Sequence, residues 1–468
     1  MFDELNASVS STLGHDCNMV KSEQTQGALS GIRILDLSRV LAGPWATQIL
    51  GDLGAEVIKV EQPNRGDDTR AWGPPQFDDG RGGERQSAYY LACNRNKKSI
   101  AIDFSKPDGA AVIRKLASTA DVVVENFKVG GLKKFGLDEA SLRAINPGLI
   151  YCSITGFGPT GPYANRGGYD FLIQGMAGLM SITGPAAGQP GSGPTKVGAP
   201  VIDLFTGLYA AVSILAALHH RTQSGEGQSI DCALLDTALA VLANQGMNYL
   251  IGGVPPRPMG NGHPNVVPYR NFATADGEVI VAVGNDGQFI KFCQLLARPD
   301  WAADPRYATN SMRALNRVEL EAKIGDALLS WCGDDLVRRM SECGVPGGPI
   351  NRVDQAFADP QVKARHVVEL HTNANGVEIP FTRYPSLLSS TPATIRSVPP
   401  ALGEHTHEVL LGLARFTQEE IDKLEAQGVI QQQIVNMQSD QKTQVCPNVV
   451  DAGSDKSMAK FSRVPTSI

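Results

Sequence analysis

Cysteine and histidine are scarce in this sequence, and they do not cluster. The 8 cysteines and 8 histidines are spread over 468 residues, with no Cys-x-x-Cys pair and no Cys/His spacing typical of zinc. This absence excludes the common structural zinc motifs, and scattered cysteines favour reduced thiols in an intracellular protein. We therefore expect neither a metal nor a permanently bound cofactor.

Excess positive charge and long apolar runs are also lacking. The formal net charge is -6, so bulk electrostatics do not favour a nucleic-acid partner, and an anionic ligand must meet a local basic patch. We find no uninterrupted apolar run long enough to span a bilayer, and expect no membrane partner. The polar first residues resemble neither a secretory signal nor an Arg-rich transit peptide, and the last residues are not a peroxisomal address.

Strands and helices alternate over the first part of the chain. Residues 32–37 (IRILDL) predict a strand, 45–53 a helix after Pro44, and 56–61 (EVIKVE) a second strand. This βαβ pattern repeats and implies parallel strands with right-handed crossovers. The sequence thus predicts an α/β fold with an open, doubly wound (Rossmann-like) sheet, whose ligands bind beyond the carboxyl ends of the strands.

The character of the chain changes after a second Gly/Pro-rich loop at residues 252–264. Asp276-Gly277 between two apolar runs predicts a hairpin, and helical patterns follow it, as in a smaller α+β domain. We predict a disordered N-terminal segment (1–29), the first part of the large domain (30–225), a helix and linker (226–262), the small domain (263–385), a C-terminal return to the large domain (386–432) and a disordered tail (433–468).

The dinucleotide fingerprint GxGxxG is missing from the first strand-to-helix turn, which has the sequence SRVLAGP at 38–44. A nicotinamide or flavin enzyme is therefore disfavoured. Asp203 attracts attention because it follows a Gly/Pro-rich loop and opens an apolar helix predicted at 204–218. Its residue type is equally typical of a helix cap, so the residues alone leave a capping and a catalytic role open. The same holds for Asp170 before the helix predicted at 171–180.

A series of motifs occurs in order along the chain and carries a specific resemblance. The motifs are SRVLAGP (38–44), GDLGAEVIKVE (51–61), GDDTR (66–70), NRNKKSI (94–100), VENF (124–127), ITGFGPTG (154–161), Asp170, Asp203, GVPGGP (344–349) and GEHT (403–406). With them the chain resembles the class III CoA-transferase family over residues 31–429. Within that family it is similar to the dicarboxylate branch that includes succinate–hydroxymethylglutarate CoA-transferase.

The resemblance implies a reaction and an assembly. Asp203 would attack the thioester of a succinyl-CoA-like donor and form an aspartyl-acyl anhydride, followed by an aspartyl-CoA thioester. The acceptor would be a small dicarboxylate such as glutarate, hydroxymethylglutarate, itaconate or a malate-type acid. Family members are interlocked homodimers, so a homodimer is expected here, in the cytoplasm or in mitochondria.

The resemblance also implies binding residues. CoA phosphates need cations, for which Arg95, Lys97, Lys128 and Lys133 are further candidates, although Gln62 and Ser105 replace a family arginine and lysine. The expected CoA contacts are Val40, Arg65, Lys98, Ile102, Asn126, Phe127, Lys134 and Phe135. The expected substrate or loop residues are Arg39, Leu41, Arg166, Tyr169, Asp170, Gly260 and Gly262, with Arg39 a candidate partner of the distal carboxylate of the substrate.

Two alternatives stay open. The racemase branch of the family uses a His-Asp pair, and Tyr169 stands at the histidine position here. Racemisation needs one group that removes a proton and another that returns it, so this departure disfavours an α-methylacyl-CoA racemase or epimerase. A non-catalytic CoA-binding protein is the other alternative, and it would leave Asp203 unmodified by acyl-CoA.

Overall fold

A computed structural model describes residues 27–80 and 85–433 of the chain. The disordered segments predicted at both ends lie outside these ranges, except for residues 27–29 and 433. In the described residues the strands are β1 (Arg33–Asp36), β2 (Glu56–Glu61), β3 (Gln76–Phe77), β4 (Gln86–Ser87), β5 (Lys97–Ile102), β6 (Val122–Glu125), β7 (Ile150–Thr155), β8 (Ser229–Ala233), β9 (Tyr269–Ala273), β10 (Glu278–Ala282), β11 (Gly347–Pro349), β12 (Val368–Thr372), β13 (Glu378–Thr382) and β14 (Ile430–Gln431).

Helices connect most of these strands. They are α1 (Ala42–Asp52), α2 (Ala88–Cys93), α3 (Pro107–Ala117), α4 (Glu139–Ile145), α5 (Asp170–Met176), α6 (Leu179–Ile182), α7 (Val201–Ser224), α8 (Leu234–Val241), α9 (Ala243–Gly252), α10 (Asp286–Leu295), α11 (Pro299–Ala303), α12 (Asn310–Leu315), α13 (Arg317–Leu328), α14 (Gly333–Glu342), α15 (Val353–Ala358), α16 (Pro360–Ala364), α17 (Thr406–Gly412) and α18 (Gln418–Ala426).

The central sheet has the strand order β14-β5-β2-β1-β6-β7-β8. Its strands are parallel except for β14, which pairs antiparallel with β5 at one edge. Leu35 of β1 lies between Ile58 and Val123 of its neighbours, and all three side chains are buried. The predicted α/β fold with a parallel, doubly wound sheet is confirmed.

Helices cover both faces of this sheet. Ile34 and Leu35 are adjacent in β1 but point to opposite faces, as successive strand residues do. Ile34 packs in a cluster with Leu50 of α1 and Ile214 of α7. Leu35 packs in a second cluster with side chains of α3 and α18, among them Ile113. Burial on both faces explains why the inner strands are nearly continuous runs of valine and isoleucine.

Several elements differ from the sequence predictions. The segment Lys97–Ile102 is an inner strand, although the prediction did not assign it. The segment predicted as a helix and linker at 226–262 instead begins with β8 in the central sheet, and its helix is divided into α8 and α9, with Ala243 at a positive φ of 46°. Helix α7 is long and apolar enough to cross a bilayer by length and composition alone, although Asp203 interrupts its apolar residues. Its buried apolar residues, such as Ile202, Ala210 and Ile214, pack on α1 and the sheet.

A smaller sheet of β9, β10 and β11 has its own core. Strands β9 and β10 form an antiparallel pair around Asp276-Gly277, which confirms the predicted hairpin. Phe289, Phe292 and Leu336 from α10 and α14 pack in the cluster behind this sheet. The domain boundaries proposed from the sequence stay predictions.

Candidate active site

Two neighbouring cavities lie beyond the carboxyl ends of the parallel strands. Arg39 and Phe127, which follow β1 and β6, line both of them. The larger cavity has a volume of about 670 Å³ and includes Asp203 in its wall. The smaller has a volume of about 450 Å³ and is lined by the segment that follows β2. This is the position at which a doubly wound fold binds its ligands.

Most of the residues predicted for the site line these cavities. Arg65 lines the smaller one, where its guanidinium binds Asp68 at 2.6 Å. The larger cavity is lined by Arg39, Val40, Leu41, Asn126, Phe127, Lys134, Phe135, Arg166, Tyr169 and Asp203. These residues come from the ends of several strands and from the start of α7, so the sheet topology brings them together.

Asp203 lies in the first turn of α7, at its third residue. The helix begins at Val201 with Pro200 in the cap position. The capping role considered for Asp203 is therefore wrong, because the helix starts three residues earlier than predicted. A side chain at this position can reach the helix terminus and still face the cavity.

Asp170 serves the helix that carries Asp203 rather than its own helix. Its carboxylate accepts the backbone N–H groups of Ile202 at 2.7 Å and Asp203 at 3.3 Å. Gln174 donates to the other carboxylate oxygen at 2.6 Å and accepts the N–H of Val197 at 2.9 Å. Asp170 does not line either cavity and lies behind Asp203. The capping role left open for Asp170 at its own helix is not observed, since Tyr169 is the cap residue there.

The charge state of Asp203 follows from this arrangement. Burial, and then the negative charge of Asp170, raise the pKa of Asp203 to about 7. A helix N-terminus by itself favours the ionised form of a nearby carboxylate. It does not do so for Asp203, because Asp170 already occupies two N–H groups of the terminus and adds a like charge. Within the described residues no cation offsets these effects.

Tyr89 lies near Asp203 and was missed by the sequence analysis. Burial, and then the charge on Asp203, raise the pKa of Tyr89 to about 12. Its ring packs edge-on against Trp72, with centroids 5.2 Å apart. The phenol is therefore protonated near neutral pH and is a neutral hydrogen-bond donor close to Asp203.

Two buried ion pairs lie beside the cavities. Lys97 binds Asp36 at 3.1 Å and Lys59 binds Asp67 at 2.8 Å, and none of the four side chains has exposed surface. Lys59 and Asp67 also line the smaller cavity. The sequence analysis considered Lys97 as a phosphate ligand, but its ammonium group is directed to Asp36 and to backbone and amide oxygens instead.

Two predicted CoA contacts lie elsewhere. Lys98 follows Lys97 in β5, and its ammonium group pairs with Glu56 at 3.1 Å and Glu408 at 2.9 Å. Ile102 at the end of β5 is completely buried in the core. Neither residue lines the two cavities. In this structure the side chains of the strand serve the core and a surface ion-pair cluster, and the role of Lys98 and Ile102 as CoA contacts stays a prediction.

The glycine loop predicted to cover the site does not line these cavities either. The N–H of Gly260 donates to the carbonyl of Gly184 at 3.1 Å, and Gly262 lies near Arg317. Gly260 has a φ of 60°, which glycine adopts without strain. In this structure the loop therefore belongs with the Gly/Pro-rich segment before α7, and its role over the site is not supported.

The cavity walls also contain residues that the sequence did not single out. Phe104 lies in the smaller cavity, and its ring packs edge-on against Phe127 and Phe135 with centroids 5.7 and 5.8 Å apart. These rings are far apart in sequence, and only the fold of the sheet makes them neighbours. In residues 27–80 and 85–433 no group of His, Cys, Asp and Glu side chains could hold a metal ion.

The family model described as CoA-transferase family III matches residues 29–406. A succinate–glutarate CoA-transferase of Agrobacterium fabrum is 54% identical over 386 residues, which cover 82% of this chain and 95% of the relative. The human succinyl-CoA:glutarate CoA-transferase is 42% identical over 408 residues, which cover 86% of this chain and 90% of the relative.

Solved structures give the same fold. A CAIB/BAIF family protein from Brucella suis is 50% identical, with a TM-score of 0.71, and the match covers 82% of this chain and 98% of that one. A Mycobacterium tuberculosis protein is 31% identical with a TM-score of 0.74, covering 83% of this chain and all of that chain.

Proposed function

The chain belongs to CoA-transferase family III, and from this membership and the geometry of the site we propose that it transfers CoA from succinyl-CoA to glutarate or a related dicarboxylate. The observation that carries the proposal is a carboxylate, Asp203, in the wall of a cavity large enough for the acyl end of a CoA thioester. Relatives named for succinate and glutarate support this choice of donor and acceptor. Hydroxymethylglutarate, itaconate and malate-type acids are further acceptors to be compared.

The first chemical step uses Asp203 as the nucleophile. An ionised oxygen of Asp203 attacks the thioester carbonyl carbon of succinyl-CoA, the carbon–sulfur bond breaks, and CoA leaves as a thiolate. The product is an anhydride between Asp203 and the succinyl group. A carboxylate suits this role because an anhydride keeps the acyl group activated for transfer, whereas a serine ester would not.

The remaining steps return Asp203 to its starting form. The CoA thiolate attacks the Asp203 carbonyl of the anhydride, which releases succinate and forms an aspartyl-CoA thioester. The acceptor carboxylate attacks this thioester, giving a second anhydride and CoA thiolate. Attack of the thiolate on the acceptor carbonyl then yields the new acyl-CoA and free Asp203. Tyr89, whose pKa the charge on Asp203 raises, is a candidate donor to the oxyanion that develops during these additions.

The two cavities suggest a path for the CoA chain. The smaller cavity contains Arg65 and the ring of Phe104, and the larger one contains Lys128 and Lys134. Arginine and lysine bind phosphate groups, and aromatic rings pack against a purine. We therefore assign the nucleotide end of CoA to the region around Phe104 and Phe127, and the thioester to the region of Asp203.

The distal carboxylate of the substrate requires a cation near Asp203. Arg166 lines the larger cavity, and its guanidinium lies over the ring of Tyr163 at 4.6 Å. Arg39 also lines this cavity, but it is bound to Asp68 at 3.0 Å. Both arginines are candidates for this contact, and Arg166 has no ion pair with another residue in the described part of the chain.

Assembly as a homodimer is also proposed. Helix α7 exposes the large apolar side chains Phe205, Leu208, Tyr209 and Val212, which share one helical face. Exposed apolar patches of this kind mark interaction surfaces. Light scattering coupled to size-exclusion chromatography should give twice the chain mass of 49.9 kDa, and a monomer would contradict the proposal.

The racemase alternative is disfavoured by the residue that precedes Asp170. Tyr169 stands at the position of the histidine of the racemase branch, and its side chain is 67% exposed at the cavity wall. A racemase would exchange the α-proton of its substrate with solvent without needing an acceptor acid. Deuterium incorporation in D₂O without CoA exchange would therefore favour the alternative.

The central test compares two helix-terminal carboxylates. Asp203→Asn should lower the rate of CoA exchange between succinyl-CoA and glutarate at least ~10³-fold, because the nucleophile is lost. The matched control is Asp236→Asn, since Asp236 occupies the corresponding third position of α8 but lies outside both cavities. This control should retain the wild-type rate.

Trapping identifies the intermediate and separates the remaining alternative. Wild-type protein incubated with succinyl-CoA and hydroxylamine should carry a hydroxamate on Asp203, detected by peptide mass spectrometry. A panel of carboxylates, read by the masses of the product acyl-CoAs, should then rank the acceptors. A protein that binds CoA but leaves Asp203 unmodified would be a non-catalytic binding protein, and the proposed mechanism would be wrong.

A further inference from the structure

Val40 has a strained backbone at the point where the two cavities meet. Its φ is 72°, in the left-handed region, which is rare for a β-branched residue. The preceding residue, Arg39, lines both cavities, while Val40 and Leu41 line the larger one. Such strain persists only where surrounding contacts impose it. The conformation of this loop therefore needs an external support.

Hydrogen bonds to three consecutive residues provide this support. The N–H of Val40 donates to both carboxylate oxygens of Asp67 at 3.2 Å. The carbonyl of Ser38 accepts a hydrogen bond from the ammonium group of Lys59 at 3.0 Å. The N–H and carbonyl of Arg39 are both bound by the side chain of Asn126, at 3.0 and 2.7 Å.

The support is rigid because Asp67 is itself fully coordinated. Lys59 donates to it at 2.8 Å, and the backbone N–H and hydroxyl of Thr69 donate at 3.0 and 2.8 Å. Neither Lys59 nor Asp67 has exposed side-chain surface. The Lys59 charge and these hydrogen bonds outweigh burial, which would raise the pKa of Asp67, and they lower it to about 2. The carboxylate is thus ionised at all working pH values.

We propose that Asp67 is a positioning residue for acyl-CoA, which holds Val40 in its left-handed conformation and so keeps the two cavities aligned for one extended ligand. This inference rests on the proposed function, because it takes the ligand to be a CoA thioester. Asp67 itself does not touch the reacting atoms. Its effect passes through the Arg39–Leu41 backbone to the part of the ligand that runs between the cavities.

A simple stabilising role would explain the ion pair but not its contact with Val40. The two roles differ in what happens when the strain is removed. Glycine adopts positive φ without a steric penalty. A Val40→Gly substitution therefore makes the loop less dependent on Asp67, whereas it does nothing for a buried lysine that has lost its counter-ion.

The test is a double-mutant cycle on steady-state kinetics. Asp67→Asn should raise the KM for succinyl-CoA by about tenfold or more, with a smaller effect on the KM for glutarate. In the Val40→Gly background the same substitution should raise the KM for succinyl-CoA less than about threefold. Asp67→Glu, which keeps the charge beside Lys59 but displaces the oxygens, should give the same pattern if Asp67→Asn does not fold.

The matched control is a buried ion pair away from the cavities. Asp52 binds Arg95 at 2.6 Å, and both side chains are almost completely buried. Asp52→Asn should destabilise the fold but leave the KM for succinyl-CoA unchanged, and Val40→Gly should not compensate for it. Equal effects of the Asp67 substitutions in both backgrounds, or an unchanged KM for succinyl-CoA, would overturn the inference. Failure of the proposed function would look different, since wild-type protein would then exchange CoA with no carboxylate.

Discussion

Two groups of carboxylates, one fully and one partly buried, lie at the same edge of the central sheet, and cations accompany only one of them. Asp36 and Asp67 are each bound by a buried lysine. Burial alone would raise their pKa values, but the charges of Lys97 and Lys59 hold the pKa of Asp36 below its usual value and lower that of Asp67 to about 2. In the described part of the chain Asp203 has no such cation, and its pKa is raised to about 7.

This difference separates structural from reactive carboxylates. An ion pair in a buried site fixes the charge and uses the lone pairs of the carboxylate, so little nucleophilicity is left. Ionisation of a carboxylate that has no cation destabilises the folded state, but the oxygen of such a carboxylate is available to a substrate. The comparison therefore predicts opposite effects on stability when the charge is removed from each group.

Loss of a cation from the paired group should have the largest effect on stability. Lys97→Met leaves Asp36 buried without its closest cation, and we expect the free energy of unfolding to fall by about 3–5 kcal/mol. Chemical denaturation at pH 7 measures this change. The variant tests whether the paired group stabilises the fold at all.

The matched control lies next to Lys97 in the same strand. Lys98 pairs with Glu56 and Glu408 at the surface, with 34% of its side chain exposed. Because surface ion pairs are worth about 0–1 kcal/mol, Lys98→Met should change the free energy of unfolding by less than ~1 kcal/mol. Similar losses for the two lysines would show that burial does not distinguish them.

Loss of charge from the unpaired group should have the opposite sign. The pKa of Asp203 is about 7 in the folded protein, against an ordinary value of 3.8. The folded state therefore holds the proton more tightly, so ionisation destabilises it increasingly as pH rises from about 4 to 7. Asp203→Asn removes this penalty. The gain in its free energy of unfolding over wild type should therefore be larger at pH 8.5 than at pH 4.5, by about 3 kcal/mol.

Denaturant titrations at both pH values test this sign. The reference is Asp236→Asn, which changes a carboxylate on an exposed helix turn. Its difference from wild type should be the same at pH 4.5 and 8.5. A stability difference for Asp203→Asn that is also independent of pH would mean that burial does not raise the pKa of Asp203.

The sequence predicts most of the strands around these carboxylates but not the strand that carries Lys97. The inner strands β1, β2, β6 and β7 are recognisable because their apolar residues form short runs between turn residues. Strand β5 has the sequence KKSIAI, and two adjacent lysines are typical of an exposed segment. Only the structure shows that Lys97 is buried against Asp36. Partners that are 61 residues apart leave no local pattern in the sequence.

The candidate site was predictable where the family motifs mark it. Family membership and the position of Asp203 at a cavity follow from motifs that are read directly from the chain. The function of Asp170 was missed because the N–H groups that it binds belong to a helix 32 and 33 residues later. The pKa of Asp203 could not be predicted either, since it depends on burial and on that same distant neighbour.

The pH dependence of the reaction tests how Asp170 tunes the unpaired carboxylate. Asp203 must be ionised to attack, so the rate should rise with pH through about 7 and then level off. Asp170→Asn removes the like charge but keeps an oxygen for the N–H groups of Ile202 and Asp203. The pKa of Asp203 should fall, and the rising limb of log kcat/KM should move to lower pH by about one unit, equivalent to ~1.4 kcal/mol.

The control for this shift keeps the charge and removes a hydrogen bond. Gln174 is fully buried and donates to Asp170 at 2.6 Å. Gln174→Met should lower activity by loosening Asp170 and the segment at Val197, yet it should leave the rising limb near its wild-type pH. If Asp170→Asn also lowers activity without moving the limb, Asp170 acts only by holding the helix terminus. Burial alone would then account for the raised pKa of Asp203.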